Sequence, residues 1–389
     1  MDFRNKKQGM LYRCFGKTEL PLSVITLGGM RYPHGWDEPR EELPADTIKC
    51  ATECTRLAFE HGINHIETAH GYCKSEHIYG KVLHEELKIP RDKYYFMTKG
   101  AAMEAGDMQA MVEKQLKATG MDFFDLYAWH GINSREKLQA STKPGGPVAE
   151  LLKLKEQGMI GHVGFSTHAP LEVIIDAIET DLFDFVNLHY YYFFQRNAPA
   201  VHAANRRNMG VFIISPNDKG GQLFHAPVKL RKLTAPLTPI QWNARFCLRT
   251  PGVHTLSFGM TEKSHFDEMA PIASTDKFWG EKEIDILYNL NAQLSKDPYA
   301  WYDAYEIPEN GSGLNIPEIL RFRKMWKCYD METWCEYRYN MFDNKADWFP
   351  GTYALSENVL KIPDACIPES VPLKQMLTEF HDRFYKPKE

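Results

Sequence analysis

Residues 62–72, GINHIETAHGY, decide the reading of this chain. An apolar, strand-like run at 64–67 closes on an acid, Glu67, and a tyrosine follows at Tyr72. Two later runs end in a similar way: YYFMTKG, residues 94–100, brings Lys99, and DLYAWHG, residues 125–131, brings His130. In a barrel of alternating strands and helices the C-terminal ends of the strands converge on one mouth, where chemistry is done. A tyrosine beside a lysine ammonium is a usable proton donor near neutral pH, because the cation favours the phenolate. Glu67, Tyr72, Lys99 and His130 are therefore the candidate catalytic set of a carbonyl-reducing or alcohol-oxidising enzyme.

Working outward, strand-like runs fall at 24–27, 64–67, 94–98, 124–129, 160–165, 185–188, 211–215 and 255–259. Between them lie amphipathic stretches such as 46–61, 75–87, 108–120, 148–157, 171–180 and 238–249. Several open on a capping residue or proline and end near glycine, as helices do. This alternation argues for parallel βαβ units. Repeated eight times over about 250 residues, it is the signature of a closed (β/α)8 TIM barrel in the α/β class. No G-x-G-x-x-G follows the first strand, which weighs against an open doubly wound sheet.

Ahead of the barrel, 11–15 and 19–22 read as a β-hairpin turning at Gly16 and closing the barrel bottom. Beyond Met260 the composition shifts to aromatics and charge, with helix-like segments at 317–327, 331–341 and 373–385. The expected division is a barrel over 1–275 and a mostly helical C-terminal region over 276–389.

The net charge of −5, without any block of like charges, argues against nucleic-acid binding. No apolar run approaches a membrane span, and the start MDFRNKKQGM is too polar for a secretory signal, so a cytoplasmic protein is expected. None of the eight cysteines forms a C-x-x-C pair, and metal binding is not expected. The partner expected is a small-molecule carbonyl or alcohol, with no nucleic acid and no membrane; oligomeric state has no sequence signal.

The string GINHIETAHGYCKSEHIYGKVL at 62–83, then TKG and LYAWHGI, resembles the aldo/keto reductase family. GFSTHAP at 164–170, SPNDKGG at 215–221 and GMTEKSHFDE at 259–268 follow in the family's order. The resemblance implies a (β/α)8 barrel that binds a nicotinamide cofactor without a Rossmann domain. It implies that Tyr72 is the proton donor or acceptor, that Lys99 lowers its pKa, and that His130 orients the substrate carbonyl. Glu67 stands where the family has aspartate and would hold Lys99 by an ion pair, one methylene longer.

The same resemblance assigns cofactor contacts. Ser166 matches the family's carboxamide-binding serine, Thr167 takes the place of the asparagine after it, and Asn187 that of a glutamine. Ile214 replaces a stacking aromatic. Ser215, Lys219, Gly220 and Gly221 would form the pyrophosphate loop. Lys263 matches at the adenosine-phosphate end, where His265 replaces an arginine; arginine grips phosphate bidentately and histidine does not. The cofactor implied is NADP or NAD, with NADP ahead. Loops 31–42, 131–146 and 217–233 are expected to set substrate choice, with Trp36, Trp129, His189, Tyr190 and Tyr191 as pocket aromatics and His70 and His168 as polar contacts.

NIPEILRF at 315–322 and NKADWFPG at 344–351 resemble a subgroup whose C-terminal extension is ferredoxin-like and carries a 4Fe–4S centre. Here the corresponding stretch, 357–377, keeps Cys366 alone, and a cubane needs about four thiolates. No iron–sulfur cluster is expected. Trp301, Tyr302, Trp326, Trp334 and Trp348 suggest that the extension caps the barrel mouth. The alternative function is a catalytically impaired barrel that binds a nucleotide or a protein.

Overall fold

A computed structural model describes residues 3–274, 276–305, 307, 311–341 and 356–386, with Lys219, Gly220 and Ser356 described by their backbone only. The strands are β1 (Tyr12–Cys14), β2 (Pro21–Ser23), β3 (Ile25–Gly28), β4 (His65–Glu67), β5 (Tyr95–Gly100), β6 (Phe124–His130), β7 (Ile160–Ser166), β8 (Phe185–Leu188), β9 (Gly210–Ile213) and β10 (Thr255–Phe258). Strands β3 to β10 pair in parallel and in chain order, and β10 closes on β3. The expected (β/α)8 barrel is what the chain forms.

β1 and β2 pair antiparallel, Tyr12 opposite Ser23, as the hairpin reading requires. Phe15 and Leu22 from this hairpin join Met97, Leu126, Phe185 and Phe212 in one buried cluster. Phe15 lies against Phe185, His254 and Gly210, all at strand starts, so the hairpin plugs the N-terminal end. Gly16 makes this possible. Its φ is +55°, and a Cβ there would lie 2.5 Å from the 208–210 backbone.

The helices α1 (Ala45–Glu60), α2 (Ser75–Lys81) and α3 (Ala105–Thr119) follow β3, β4 and β5. α3 stops at Gly120, whose left-handed φ of +66° lets its amide reach back to the Leu116 and Lys117 carbonyls. Next come α4 (Arg135–Thr142), α5 (Pro147–Glu156), α6 (Leu171–Glu179), α7 (Ala198–Arg206), α8 (Val228–Thr234), α9 (Pro239–Leu248) and α10 (Lys263–Ala273). α6 buries Val173, Ile174, Ala177 and Ile178, one stripe at helical spacing. Two segments read as loops are partly helical. Ser134 caps α4 by accepting from the Lys137 amide at 3.3 Å, and α8 with a 3-10 turn at Lys219–His225 occupies much of 217–233.

The described residues fall into two compact units, one within Met1–Gly221 and Asn243–Trp279, the other within Gln222–Trp242 and Gly280–Glu389. The second unit adds α11 (Glu281–Ala292), α12 (Ile316–Tyr329), α13 (Glu332–Tyr339), α14 (Ser356–Leu360) and α15 (Leu373–Phe384). Trp334 packs edge-on to Phe322, and Trp326 edge-on to Phe384, inside this unit's own core. Trp301 is 63% exposed, Tyr302 is buried, and Trp348 and the motif 344–351 lie outside the described residues. Cys328 and Cys335 are buried, Cys335 with its thiol on the Phe322 carbonyl, and Cys366 is exposed.

Candidate active site

Alternation along a strand sends every second side chain into the barrel. On β4 these are His65 and Glu67, on β5 Tyr95, Met97 and Lys99, and on β6 Leu126, Ala128 and His130. The apolar members fill the lower layers, and the polar ones reach the C-terminal end. In register across β6, β7 and β8, His130 pairs with Ser166 and Ser166 with Asn187.

Glu67 and Lys99 are almost fully buried and form an ion pair. Lys99 Nζ also donates to the Thr68 carbonyl at 2.9 Å and lies 3.3 Å from the Tyr72 hydroxyl. That hydroxyl donates to Glu67 Oε1 at 3.2 Å, and Ser257 Oγ donates to Oε2, also at 3.2 Å. Glutamate reaches Lys99 and Tyr72 with one oxygen and Ser257 with the other. The expected pairing of Glu67 with Lys99 is present despite the extra methylene. His130 stands edge-on to Tyr72, ring centres 5.9 Å apart.

Tyr72 is held by a continuation of the β4–β5 ladder. The Thr68 and His70 amides donate to the Met97 and Lys99 carbonyls, each at 2.9 Å, before the chain turns with Tyr72 N on Ala69 O. Lys74, fully buried, ties this turn to the loop opposite through the Pro39 and Glu42 carbonyls and Glu38. Behind β5, Glu76 accepts from Thr98 Oγ1 and Gln115 Nε2, both at 2.6 Å. Gln115 Nε2 also donates to the Lys99 carbonyl at 3.1 Å, while the Tyr127 hydroxyl donates to Gln115 Oε1. Sequence reading missed Lys74, Glu76 and Gln115. For Glu76 and Gln115 the signal is a polar residue on a helix face that otherwise packs inward; Lys74, in the turn before α2, carries none.

The phenol of Tyr72 is pushed up to about 12 by burial, and the cation that draws it down is Arg31. Burial outweighs this pull, and Lys99, expected to act on the phenol as well, is paired with Glu67. Below the pair, His65 is pushed down to about 3 by burial and then by the Lys99 charge. It stays neutral, with Nδ1 2.9 Å from Thr26 Oγ1.

Beside Tyr72 runs a groove lined by Arg31, Glu67, Ile214, Ser215, Asn217 and Gly221. Asp218 and Gly259 line it too. Ser215 sits here in a left-handed turn, φ +53°, closed by the Asp218 amide on its carbonyl at 3.0 Å. Of Lys219 and Gly220 only the backbone is described. Ser166 Oγ accepts from the Gly131 amide at 3.1 Å. The Thr167 hydroxyl donates to the Ile132 carbonyl and accepts from the Ala169 amide, so it is spent on the backbone. Asn187 is fully buried with Nδ2 near Met97 Sδ, and its Oδ1 has no hydrogen-bond partner among the described residues. Lys263 opens α10 and is exposed. His265 Nδ1 accepts from the Thr261 amide at 3.1 Å, which turns one face of its ring inward.

The expected pocket residues scatter. His189 Nε2 and His168 Nδ1 are 3.0 Å apart, with the Tyr191 hydroxyl 3.3 Å from His189 Nδ1. Tyr190 instead stacks on Phe246 and bonds Thr250, Trp129 is buried with its indole on the Ala102 carbonyl, and Trp36 is exposed. His70 Nδ1 accepts from Arg40.

A parallel (β/α)8 barrel with an acid, a tyrosine, a lysine and a histidine meeting at its C-terminal end defines a class of barrel enzymes by shape and chemistry. The model of the aldo/keto reductase family matches residues 24–222, and the chain belongs to that family. The D-arabinose 1-dehydrogenase of Saccharomyces cerevisiae is 27% identical over 164 residues, 39% of this chain and 45% of that protein. The chain thus spans about half the length of the curated relatives it matches. An aldo-keto reductase from Bacillus halodurans in its holo form superposes with a TM-score of 0.58 at 19% identity, over 72% of this chain and 96% of that one. One from Klebsiella pneumoniae in complex with NADPH gives 0.56 at 19%, over 72% and 95%. At that identity the likeness shows the fold.

Proposed function

We propose that this protein is a nicotinamide-dependent oxidoreductase acting on the carbonyl or alcohol of a small, sugar-like or aldehyde substrate. The convergence of Tyr72, Lys99 and Glu67 within one hydrogen-bonded cluster, with His130 edge-on to Tyr72, supports the reading most strongly. Four such groups have no need to meet at a strand-end groove for stability alone.

The residues fit a bound nicotinamide dinucleotide in two respects. Asn187 Oδ1 is a buried acceptor with no partner among the described residues, and a buried acceptor left unpaired is costly unless a ligand donor such as a carboxamide NH2 satisfies it. The 214–221 turn, with Gly221 at φ +71°, offers close backbone approach for phosphates. Asn187 and Ser166 would hold the carboxamide, Ser215 with the 219–221 turn the pyrophosphate, and Lys263 with His265 the adenosine end. Thr167 would act through the loop it fixes. When bound, the nicotinamide supplies or accepts the hydride.

The protein's own part is the proton. Tyr72 trades its bond to Glu67 for one to the substrate oxygen and gives it the phenolic proton in the reducing direction. Lys99, 3.3 Å away, stabilises the phenolate left behind. Glu67 keeps Lys99 in place, and Ser257 keeps Glu67 in place. His130 donates to, and so orients, the carbonyl oxygen. NADP and NAD both remain open to this site, because His265 spends one ring nitrogen on the backbone.

Titration with NADPH and NADH, read by nicotinamide fluorescence, tests the cofactor. Tyr72→Phe should then lower turnover by about 10²- to 10⁴-fold, the usual yield of a positioned proton donor, and leave dinucleotide affinity in place. Equal turnover would reject Tyr72 as the donor. Failure of both dinucleotides to bind would put the binding-module reading first.

A further inference from the structure

One cation of the groove has no job in the scheme above. Arg31 follows β3, is half-buried, and lines the groove together with Tyr72 and Ser215. Among the described residues its guanidinium makes no hydrogen bond or ion pair. Of the other charges around it, Glu67 and Lys99 compensate each other, and Asp218, in the lining of the same groove, is buried with contacts of its own.

The position of Arg31 is built. Gly259, just past β10, carries no side chain, and a Cβ there would come within 2.5 Å of Arg31 Cγ. The glycine leaves the channel in which the arginine stem lies. A guanidinium half-withdrawn from water is matched by a carboxylate or phosphate, whose two oxygens meet its planar fork in charge-assisted bonds.

We propose that Arg31 is the anion-receiving residue of this groove, taking a phosphate or carboxylate oxygen of the bound ligand beside Tyr72. This rests on the oxidoreductase reading for its two sources, the phosphates of the dinucleotide and a carboxylate on the substrate. The shared chemistry is an oxyanion within the field of the proton donor. Arg31 acts on the phenol of Tyr72 in the free protein and draws it toward phenolate. The phenol already carries its proton, and an anion seated on Arg31 cancels that pull, so ligand binding holds the proton on Tyr72 more firmly as the carbonyl arrives. Of the other groups facing Tyr72, Lys99 is paired to Glu67 and His130 meets the ring edge-on.

Calorimetric titration of the full chain with inorganic pyrophosphate and with succinate reads the site without turnover. The wild type is expected to bind at least one of them. Arg31→Gln should weaken that binding at least about tenfold, as loss of a charge-assisted contact does. Gly259→Ala, which displaces the arginine stem while keeping its charge, should weaken it as well. If neither anion binds the wild type, or Arg31→Gln binds as the wild type does, the proposal is overturned.

The sources separate in a second pair of measurements. Arg31→Gln that loses NADPH and NADH affinity, with an unchanged preference for succinic semialdehyde over butanal, assigns the residue to the dinucleotide. A fallen acid-to-neutral ratio of kcat/KM assigns it to the substrate. Anion binding at Arg31 in a protein without turnover would reject the oxidoreductase reading alone.

Discussion

Lys99 with Glu67 in the barrel, and Arg323 with Asp297 in the second unit, are both ion pairs closed off from water. The side chains of the first pair are 1% and 4% exposed, those of the second 9% and 2%. Arg323 is completed by Glu379, and Asp297 accepts from the Tyr299 amide, so every neighbour there serves to neutralise charge. Around Lys99 stand a phenol, a serine hydroxyl and a groove. A buried pair taken alone is weak evidence for function, since structural networks perturb charges as strongly as catalytic ones. The group that distinguishes them is the titratable hydroxyl held within reach of the cation.

The strongest way to break this comparison is to remove each cation in turn. Lys99→Met leaves Glu67 buried and uncompensated, and should cost about 3–5 kcal/mol of stability together with about 100-fold or more in turnover. Arg323→Met leaves Asp297 in the same plight and should cost a similar 3–5 kcal/mol. Turnover per folded molecule should hold. Denaturant unfolding with kinetics on the folded fraction checks both. A fall in turnover for Arg323→Met would mean that the second unit takes part in the chemistry.

A smaller effect separates buried charge from buried neutrality. His65 lies under Lys99 and keeps its ring neutral, pushed down to about 3 against an ordinary value of 6.5. The unfolded chain therefore takes up a proton that the folded barrel refuses. Stability is whole above pH 6.5 and is lost as the pH falls toward 3, on the order of 2 kcal/mol by pH 5. In His65→Asn this acid loss should disappear from the unfolding free energy. Parallel curves for the two proteins between pH 6.5 and 5 would show that His65 carries no such penalty.

How far the site was legible depends on where each residue sits in its element. Glu67, Lys99 and His130 each end a strand, and a charge or imidazole after an apolar run is a conspicuous break in pattern. The barrel was legible for the same reason: eight runs, most of them followed by a helical period. Arg31 was not, because it follows Gly28, Gly29 and Met30 in a stretch with no periodicity to violate. Glu76 and Gln115 were hidden in amphipathic helices, where a polar residue is ordinarily read as facing water. Ser134 could have announced α4 as a capping residue, but 131–146 also holds three glycines and a proline, which read as loop. The pull on Tyr72 was assigned to Lys99 through the family resemblance, which carries no position for Arg31.

An exposed cation sharpens the contrast last and least. Lys263 opens α10 in solvent, next to the Glu262 carboxylate, which accepts from Ser264 Oγ at 3.3 Å. If it meets the adenosine-side phosphate of a bound dinucleotide, it does so through water-screened contact rather than in a closed site. Exposed pairs of this kind contribute little, so Lys263→Ala should weaken NADPH by less than about tenfold. NADH, which lacks that phosphate, should be unaffected. The difference should fade at about 0.5 M salt, where the screening length drops to a few ångströms. A loss of more than about a hundredfold that survives salt would instead mean that binding draws Lys263 out of water, which the exposed start of α10 argues against.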